Sequence, residues 1–599
     1  MKRIQYYIAI LLLAGTACQK NFLDKQPDES ITIEQAFQKR AYAEAFLTDA
    51  YASMGNEYYF TDYLGTSPNP YVIASDEMNI PWPEKFEKLM NKGSWNPYNV
   101  DAQLWKNMYE GIRKANIFLV NIPKTPLDAV FSEADKQRWI GEATFLRAYY
   151  HFRLVRIYGG VPLMDAPSGV ADDFSKLRRA SLDSCIDFIV RECDLAIPKL
   201  PVKLSSARDY GRATAAAALA LKARILLYRA SPLFNGNPDY VNVADKDGNK
   251  LFPQQFDAAR WEQAAAASKA CIDICEGAGY TLYKKHADPV VNYQQLFLDN
   301  HNDEVLFAYN AGVSGWMEKC AFPGSLGGWN GYNPTQAQVD AYEMDNGIAP
   351  ITGYQAGGAP VIDPASGYRE DGYAAADDPN KRWLAGVSNM YVRRDPRFYA
   401  TVNFNGAYFV DRRMQFWQSG ADGRGNAGRD YNTTGYLLRK FVNPAANIPQ
   451  GRFLLGTWIF FRLGGVYLDY AEALNEAKGP VAEVYQYVDA IRTRAGMPKL
   501  PQGLDKAGMR ARIWQERRVE LAYESHRYFD CHRWKIAAQT DGGPVYGMNI
   551  SAGSSLQDNA FYKRTLVETR VFQSPKHYLF PIPQSEIDKA PALIQNPGW

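Results

Sequence analysis

Helical spacing of apolar positions dominates the chain. In "GEATFLRAYYHFRLVRIYGG", Phe145, Ala148, Phe152 and Val155 recur at i, i+3, i+7 and i+10, the spacing of one buried helix face. Gly159 and Gly160 predict the end of that helix, and Pro162 prevents its resumption. "GRATAAAALALKARILLYRASP" follows the same logic: Ala216, Leu219, Ala223 and Leu226 share a face, and Pro232 closes the run. In "RWEQAAAASKACIDICEGAGY" the face is Trp261, Ala264, Ala265, Ser268 and Cys271, with Gly277 and Gly279 as terminators.

Alanine at the facing positions lets two antiparallel helices approach closely, and a small-residue pair of this size is the unit of tetratricopeptide-like arrays. "GGVYLDYAEALNEA" with "VYQYVDAIRTRAGMP" reads as another pair, as does "DAQLWKNMYEGIRKANIFLVNIP" with the helix before it. Roughly four such pairs are expected, spread through the chain and separated by insertions. Residues 310–460 break the pattern. They hold few clean helical periods and are rich in Gly, Asn, Asp, Tyr and Trp, as in "SGWMEKCAFPGSLGGWNGYNP" and "MQFWQSGADGRGNAGRDYNTTGY". Long irregular segments that carry aromatic rings point to functional loops rather than disorder.

The first residues carry a different signal. Lys2 and Arg3 precede an apolar run from Ile8 to Leu13, followed by the small residues Gly15, Thr16 and Ala17. That run is too short to span a bilayer and reads as an export signal, residues 1–17, with Cys18 as the new N-terminus. A cysteine there is the acceptor for bacterial lipoprotein acylation, and acyl chains would tether the protein to a membrane; an ordinary signal peptide with an incidental cysteine is the alternative. Polar residues 18–30 suit a leash. The other cysteines, Cys185, Cys193, Cys271, Cys275, Cys320 and Cys531, form no CxxC pair; export would permit disulfides, and buried free thiols in helices are the expectation. A net charge of +2 argues against a nucleic-acid binder.

"FLDKQP" behind Cys18 begins a series of ordered segments: "GEATFLRAYYHFRLVRIYGGVPL", "GRATAAAALALKARILLYRAS", "RRDPRFYATVNFNG", "TTGYLLRKF", "YLDYAEALNEA", "VDAIRTRAGMP", "ERRVELAYESHRYFDCHRWK" and "HYLFPIPQSEIDKAPALIQNPGW". In number, order and spacing these resemble the SusD/RagB family of outer-membrane nutrient-binding lipoproteins. The resemblance implies a mainly α fold of tetratricopeptide-like helix pairs in a right-handed superhelical scaffold, with a large loop-rich region and few short strands. It implies an N-terminal helical region over 31–235, a central helix region over 236–300 and a C-terminal region with ligand-facing loops over 301–599. It also implies a SusC-like TonB-dependent transporter as partner, an oligo- or polysaccharide ligand, lipid attachment to the outer membrane facing the cell exterior, and no enzymatic activity. Lys20 and Lys25 follow Cys18 where surface-exported lipoproteins often carry acidic residues, so the outward placement rests on the resemblance.

A pyranose offers an apolar face of C–H groups and a rim of hydroxyls, so its site needs flat rings beside Asn, Asp, Gln or Arg. Trp105, Trp139, Trp261, Trp514 and Trp534 lie in helical patterns and Trp458 in an apolar run; all six are expected in the core. Trp599 is expected as a terminal clasp and Trp95 as packing. Among the loop tryptophans, Trp82 stands between two prolines, which predicts a displayed ring. By the resemblance, the loop after the "SDE" segment contributes Asp76, Asn79 and Trp82. A second contribution comes from Trp329, Asn330 and Tyr332 in "GGWNGYNP". Trp316 and Trp417 complete the candidates, with Trp383 ranked below them.

Two other readings stand beside glycan capture: a binding lipoprotein for peptides or glycopeptides, and a secreted glycoside hydrolase. A hydrolase needs two carboxylates flanking a bond. Glu516, Glu520 and Glu524 share a helix face, but Arg517, Arg518, Arg527 and Arg533 interleave with them, which predicts an ion-pair network. No HExxH, GxSxG, P-loop or dinucleotide fingerprint is present. No cofactor is expected; a structural calcium among loop carboxylates is compatible with the composition, though no EF-hand pattern occurs.

Overall fold

The computed structural model describes residues 31–55, 57–61, 69–169, 171–313 and 315–599. The export signal, Cys18 and the leash to residue 30 lie outside the described residues. The scaffold helices are α1 (Arg40–Ala52), α2 (Gln103–Asn121), α3 (Glu133–Tyr158), α4 (Leu182–Ala196), α5 (Ala215–Ala230), α6 (Ala259–Gly277), α7 (Leu463–Lys478), α8 (Ala482–Arg494), α9 (Lys506–Glu520) and α10 (His526–Arg533). From α1 to α8 each packs against the next in chain order, the tetratricopeptide-like arrangement the spacing predicts.

Local chemistry sets the helix ends. Ser132 caps α3 in a reciprocal box with Asp135, and Gly159 ends it at φ 76°, a left-handed backbone that favours glycine. Thr214 caps α5, its hydroxyl accepting from Ala217 N at 3.0 Å. The predicted faces are inside: Phe145, Ala148, Phe152 and Val155 of α3, and the alanine seam of α5 against Ala264 and Ala265 of α6, are all buried. The six cysteines beyond Cys18 are free and buried. Trp458 is buried as expected. Trp599 packs at 4.6 Å from Trp95 and donates to Leu579 O at 3.0 Å, closing the C-terminus.

The loop-rich region hangs from one ribbon. Strand β1 (Val305–Gly312) pairs antiparallel with β2 (Gly456–Arg462), and Gly312 faces Gly456 at the end where the chain departs and returns. Among the described residues between the two strands, every helix and strand is short. A second ribbon, β3 (Gly543–Met548) with β4 (Arg564–Arg570), lies between α10 and the C-terminal segment.

Buried ion pairs lock the ribbon, α8, α9 and the loops together. Arg462 at the end of β2 donates to Glu304 and Glu520 at 2.8 Å each and to Glu524 at 2.8 Å. Arg397, from the loop region, reaches Glu516 at 2.6 Å and Glu520 at 2.9 Å. Arg492 of α8 bonds Glu516 and Glu343 at 2.9 Å each, and Arg494 bonds Glu304 and Glu520. Lys440 holds Glu524 at 2.8 Å. Burial by itself would raise the carboxyl pKa values of Glu516, Glu520 and Glu524, but the cations outweigh it and hold all three below the usual range. The predicted network is therefore present, with Glu516, Glu520 and Glu524 engaged inside the protein rather than in a cleft.

Removing one partner of a buried network leaves the others under-compensated. Arg462→Ala is expected to cost about 3 kcal/mol or more of unfolding free energy. Arg393 also pairs with a carboxylate, Asp345, at 3.0 Å, but at 66% side-chain exposure. Arg393→Ala is expected to cost less than about 1 kcal/mol. Urea denaturation of both variants checks the contrast; equal losses would contradict it.

Candidate functional site

Two loops far apart in sequence are stitched together by backbone. Met78 and Asn79 pair antiparallel with Pro334 and Asn333. This brings Trp82 beside Trp329, edge to face at 6.5 Å and 87°, and Trp316 packs on Trp329 at 5.1 Å and 81°. Trp316 begins a short helix, Trp316–Ala321, and its Nε1 donates to Thr61 O at 2.6 Å. The Lys319 ammonium sits 5.5 Å from the centre of the Trp329 ring. Trp316 and Trp329 are half-buried.

A third loop joins through Asn333, whose Oδ1 accepts from Thr433 N at 2.9 Å and from Thr433 Oγ1 at 2.8 Å. This loop carries Asp430, which accepts from Trp82 Nε1 at 2.7 Å, and Arg429, which pairs with Glu84. Arg424 lies over the Tyr431 ring at 4.1 Å.

Two of these loops, one through Asn79 and Pro83 and the other through Tyr431 and Thr433, border a cavity of ≈ 390 Å³ lined also by Lys92, Asn549 and Ser551; Trp82, Trp316 and Trp329 do not line it. Its floor carries the Lys88–Glu568 pair at 2.7 Å. Burial would raise the Glu568 pKa, but Arg570 and Lys88 outweigh it and hold the carboxyl at about 2. Another cleft of ≈ 370 Å³, between α2 and residues 586–593, is walled largely by apolar side chains such as Trp105, Phe174 and Leu593. The loop cavity, with amides, hydroxyls and charges converging, is the better polar recognition site.

The eight candidates divide. Trp82, Trp316 and Trp329 form one cluster, and Asn79 reaches the cavity wall with its Oδ1 accepting from Lys88 and from Ile80 N. Trp82 is not displayed: it is 4% exposed, because its indole nitrogen is tied to Asp430 and its ring fills the space that a side chain at Gly331 would need. Asp76 is buried and bonded by Arg527 at 2.8 Å and Arg518 at 2.9 Å, so it holds the loop from beneath. These guanidiniums outweigh the upward effect of burial and hold its carboxyl far below the usual range. Tyr332 is fully buried against Phe60 at 5.1 Å. Asn330, at φ 51°, accepts from Gly324 N at 3.1 Å and donates to Asp430 O at 3.3 Å, shaping the loop. Trp417 has no ring contact with the cluster among the described residues; its loop borders the far wall of the cavity, where Gln418 N donates to Ala552 O at 2.9 Å. The sequence reading missed Lys92, Tyr431, Asn549 and Ser551. The run "GMNISAGSS" has loop composition, but no spacing links it to residue 79.

Among the described residues, no group of three or more His, Cys, Asp or Glu is arranged to hold a metal ion, and no helix is long and apolar enough to cross a membrane.

The model of the SusD family matches residues 298–599. The chain belongs to the SusD family. A second SusD-like model, described as starch-binding associating with outer membrane, matches residues 21–227. A SusD-like protein of Bacteroides ovatus is 26% identical over 100% of this chain and 98% of its own length. The solved structure of BT4246 superposes at TM-score 0.79 with 25% identity, covering 94% of this chain and 100% of that one. A SusD-like carbohydrate binding protein of Bacteroides fragilis shares the fold at TM-score 0.69 and 23% identity, covering 93% and 100%.

Glu77, next to the loop, is fully buried and accepts from Tyr523 N at 2.7 Å. Burial pushes its carboxyl up to about 8, against that hydrogen bond. A folded pKa above the unfolded value of about 4.3 means the folded state retains the proton. The stabilisation is therefore complete below the unfolded pKa and lost as pH rises toward about 8. Glu77→Gln keeps the acceptor and removes the titration, so its melting temperature relative to the parent is expected to be higher at pH 8 than at pH 5. Thermal melts at both values test this; a difference independent of pH would refute it.

Proposed function

We propose that the protein captures oligo- or polysaccharide at the cell surface and passes it to a SusC-like TonB-dependent transporter. The carrying observation is the cluster of Trp82, Trp316 and Trp329, the last two half-buried and set at right angles, joined through Trp82 to the same 79–83 loop that lines a cavity with polar groups, within a SusD-family fold. A flat indole covers the apolar face of a pyranose, and the amides, hydroxyls and lysine of the cavity bond to its rim. The carbohydrate-binding description of the B. fragilis neighbour and the starch-binding description of the N-terminal family model support the same reading. The export signal and Cys18 support attachment to the outer membrane by lipid, and family membership supports the transporter partner.

Isothermal titration against starch and a panel of neutral and acidic plant, fungal and host polysaccharides tests the ligand. Heat is expected with one polymer class, and Trp329→Ala should weaken that binding about tenfold, equivalent to about 1.4 kcal/mol, with Trp329→Phe retaining most of it. Binding confined to peptides would replace the glycan by the peptide alternative. The tether has its own test. Cys18→Ala should move the protein from the membrane to the soluble fraction, and persistent membrane association would refute acylation at that residue.

A further inference from the structure

A third cavity, of ≈ 470 Å³, opens where α5 and α6 meet α7, α9 and α10. Phe256, Trp261, Trp514 and Trp534 line it together with Glu476 and Arg510. The sequence reading placed Trp514 in the core. It is instead half-buried, stacked by one face on Trp534 at 4.3 Å and 16°. Trp534 is fixed in turn: its Nε1 donates to Glu472 at 2.7 Å, and the Arg533 guanidinium lies 4.9 Å from its ring centre. The other face of Trp514 meets no further ring and no cation among the described residues.

Phe256 is 62% exposed. It is held out by backbone rather than by packing. Asn235 Nδ2 donates to Asp257 O and its Oδ1 accepts from Asp257 N, both at 2.9 Å, and the strand of loop at Phe256 lies so close to Gly236 that no side chain fits there. The Phe256 ring adds an apolar surface to the wall of the cavity, alongside the Trp261, Trp514 and Trp534 rings.

The charges argue for the kind of occupant. Lys506, Arg510 and Trp514 follow at four-residue intervals on one face of α9, about 6 Å apart per step. Arg510 donates to both oxygens of Glu476, from Nε at 2.6 Å and from Nη2 at 2.5 Å. Asn475 Nδ2 donates to the same carboxylate at 3.3 Å and Lys506 stands 3.8 Å away, while the Arg510 side chain stays 34% exposed. An apolar occupant would seal this ion pair from water without replacing its hydrogen bonds, which is costly. A pyranose lays its C–H face on the indole and returns hydroxyls to the exposed edge of the ion pair, the Arg510 guanidinium first.

We infer that this cavity is a second saccharide-binding surface, on the helical scaffold, that takes pyranose units of the same polysaccharide as the loop site. It rests on the glycan reading above. Two sites on one polymer raise its apparent affinity without changing that of a short fragment.

The test uses the intact chain and the polymer selected by the panel, with its trisaccharide as the short probe. Trp514→Ala and Phe256→Ala are each expected to weaken polymer binding about tenfold and to leave trisaccharide binding at the loop site unchanged. Trp514→Phe should restore part of the loss. Melting temperatures accompany each variant, and Phe256, being exposed, can be removed without opening the core. Unchanged polymer affinity in Phe256→Ala and Trp514→Ala, with Trp329→Ala still defective, overturns the second surface alone. Loss of association with another protein while glycan binding stays intact overturns it as well. Absence of glycan binding in the parent chain overturns both readings.

Discussion

The fold depends on a set of arginines and carboxylates that have left water together. Desolvating an ion costs several kcal/mol, and the pair returns that only when every donor and acceptor is met in good geometry. Arg462, Arg494 and Arg397 converge on Glu520 from β2, from α8 and from the loop region, and each is nearly inaccessible to solvent. A second group links Arg517 with Asp469 and Asp530, and Arg533 with Glu472. None of these elements can be left out without stranding a charge. The loops are therefore fastened to the helices by electrostatic necessity as much as by apolar contact.

The same logic extends to the surface. Asp76 is held by Arg518 and Arg527, the first on α9 and the second on α10, so the loop that carries Asn79 and Trp82 is an outgrowth of the buried network. Backbone pairing at Met78–Asn79 then brings in the segment around Trp329, and Asn333 brings in the one around Tyr431. The site is the end of a chain of constraints that begins in the core, which is how irregular backbone can hold rings in fixed orientation.

Helices and their ends were legible because they follow from local spacing: Phe145 to Val155 announces a face, Gly159 a stop, and the alanines of α5 and α6 a close approach of those helices. The interleaved signs of residues 516–533 likewise announced ion pairs, although not that Glu304, Arg397 and Arg462 would complete them, since nothing local connects residues so far apart. In the loops, residue type alone could not separate display from support. Trp82, Asp76 and Tyr332 have the chemistry of ligand contacts, yet Asp430, Arg527 and Phe60 claim them. Trp514 erred the other way, because helical periodicity shows which face a residue shares but not whether a neighbour covers it.

The pairing of Gly312 with Gly456 has a consequence for how such a protein can change. The segment between them leaves and re-enters the body at points about 5 Å apart, the spacing of adjacent strands. Closing a loop across a fixed gap grows dearer only with the logarithm of its length, about 0.6 kcal/mol for each doubling. Insertions and deletions far from the residues that enter the buried network can thus be absorbed at small cost. The contours of this segment can therefore change while the helical stack beneath it stays as it is.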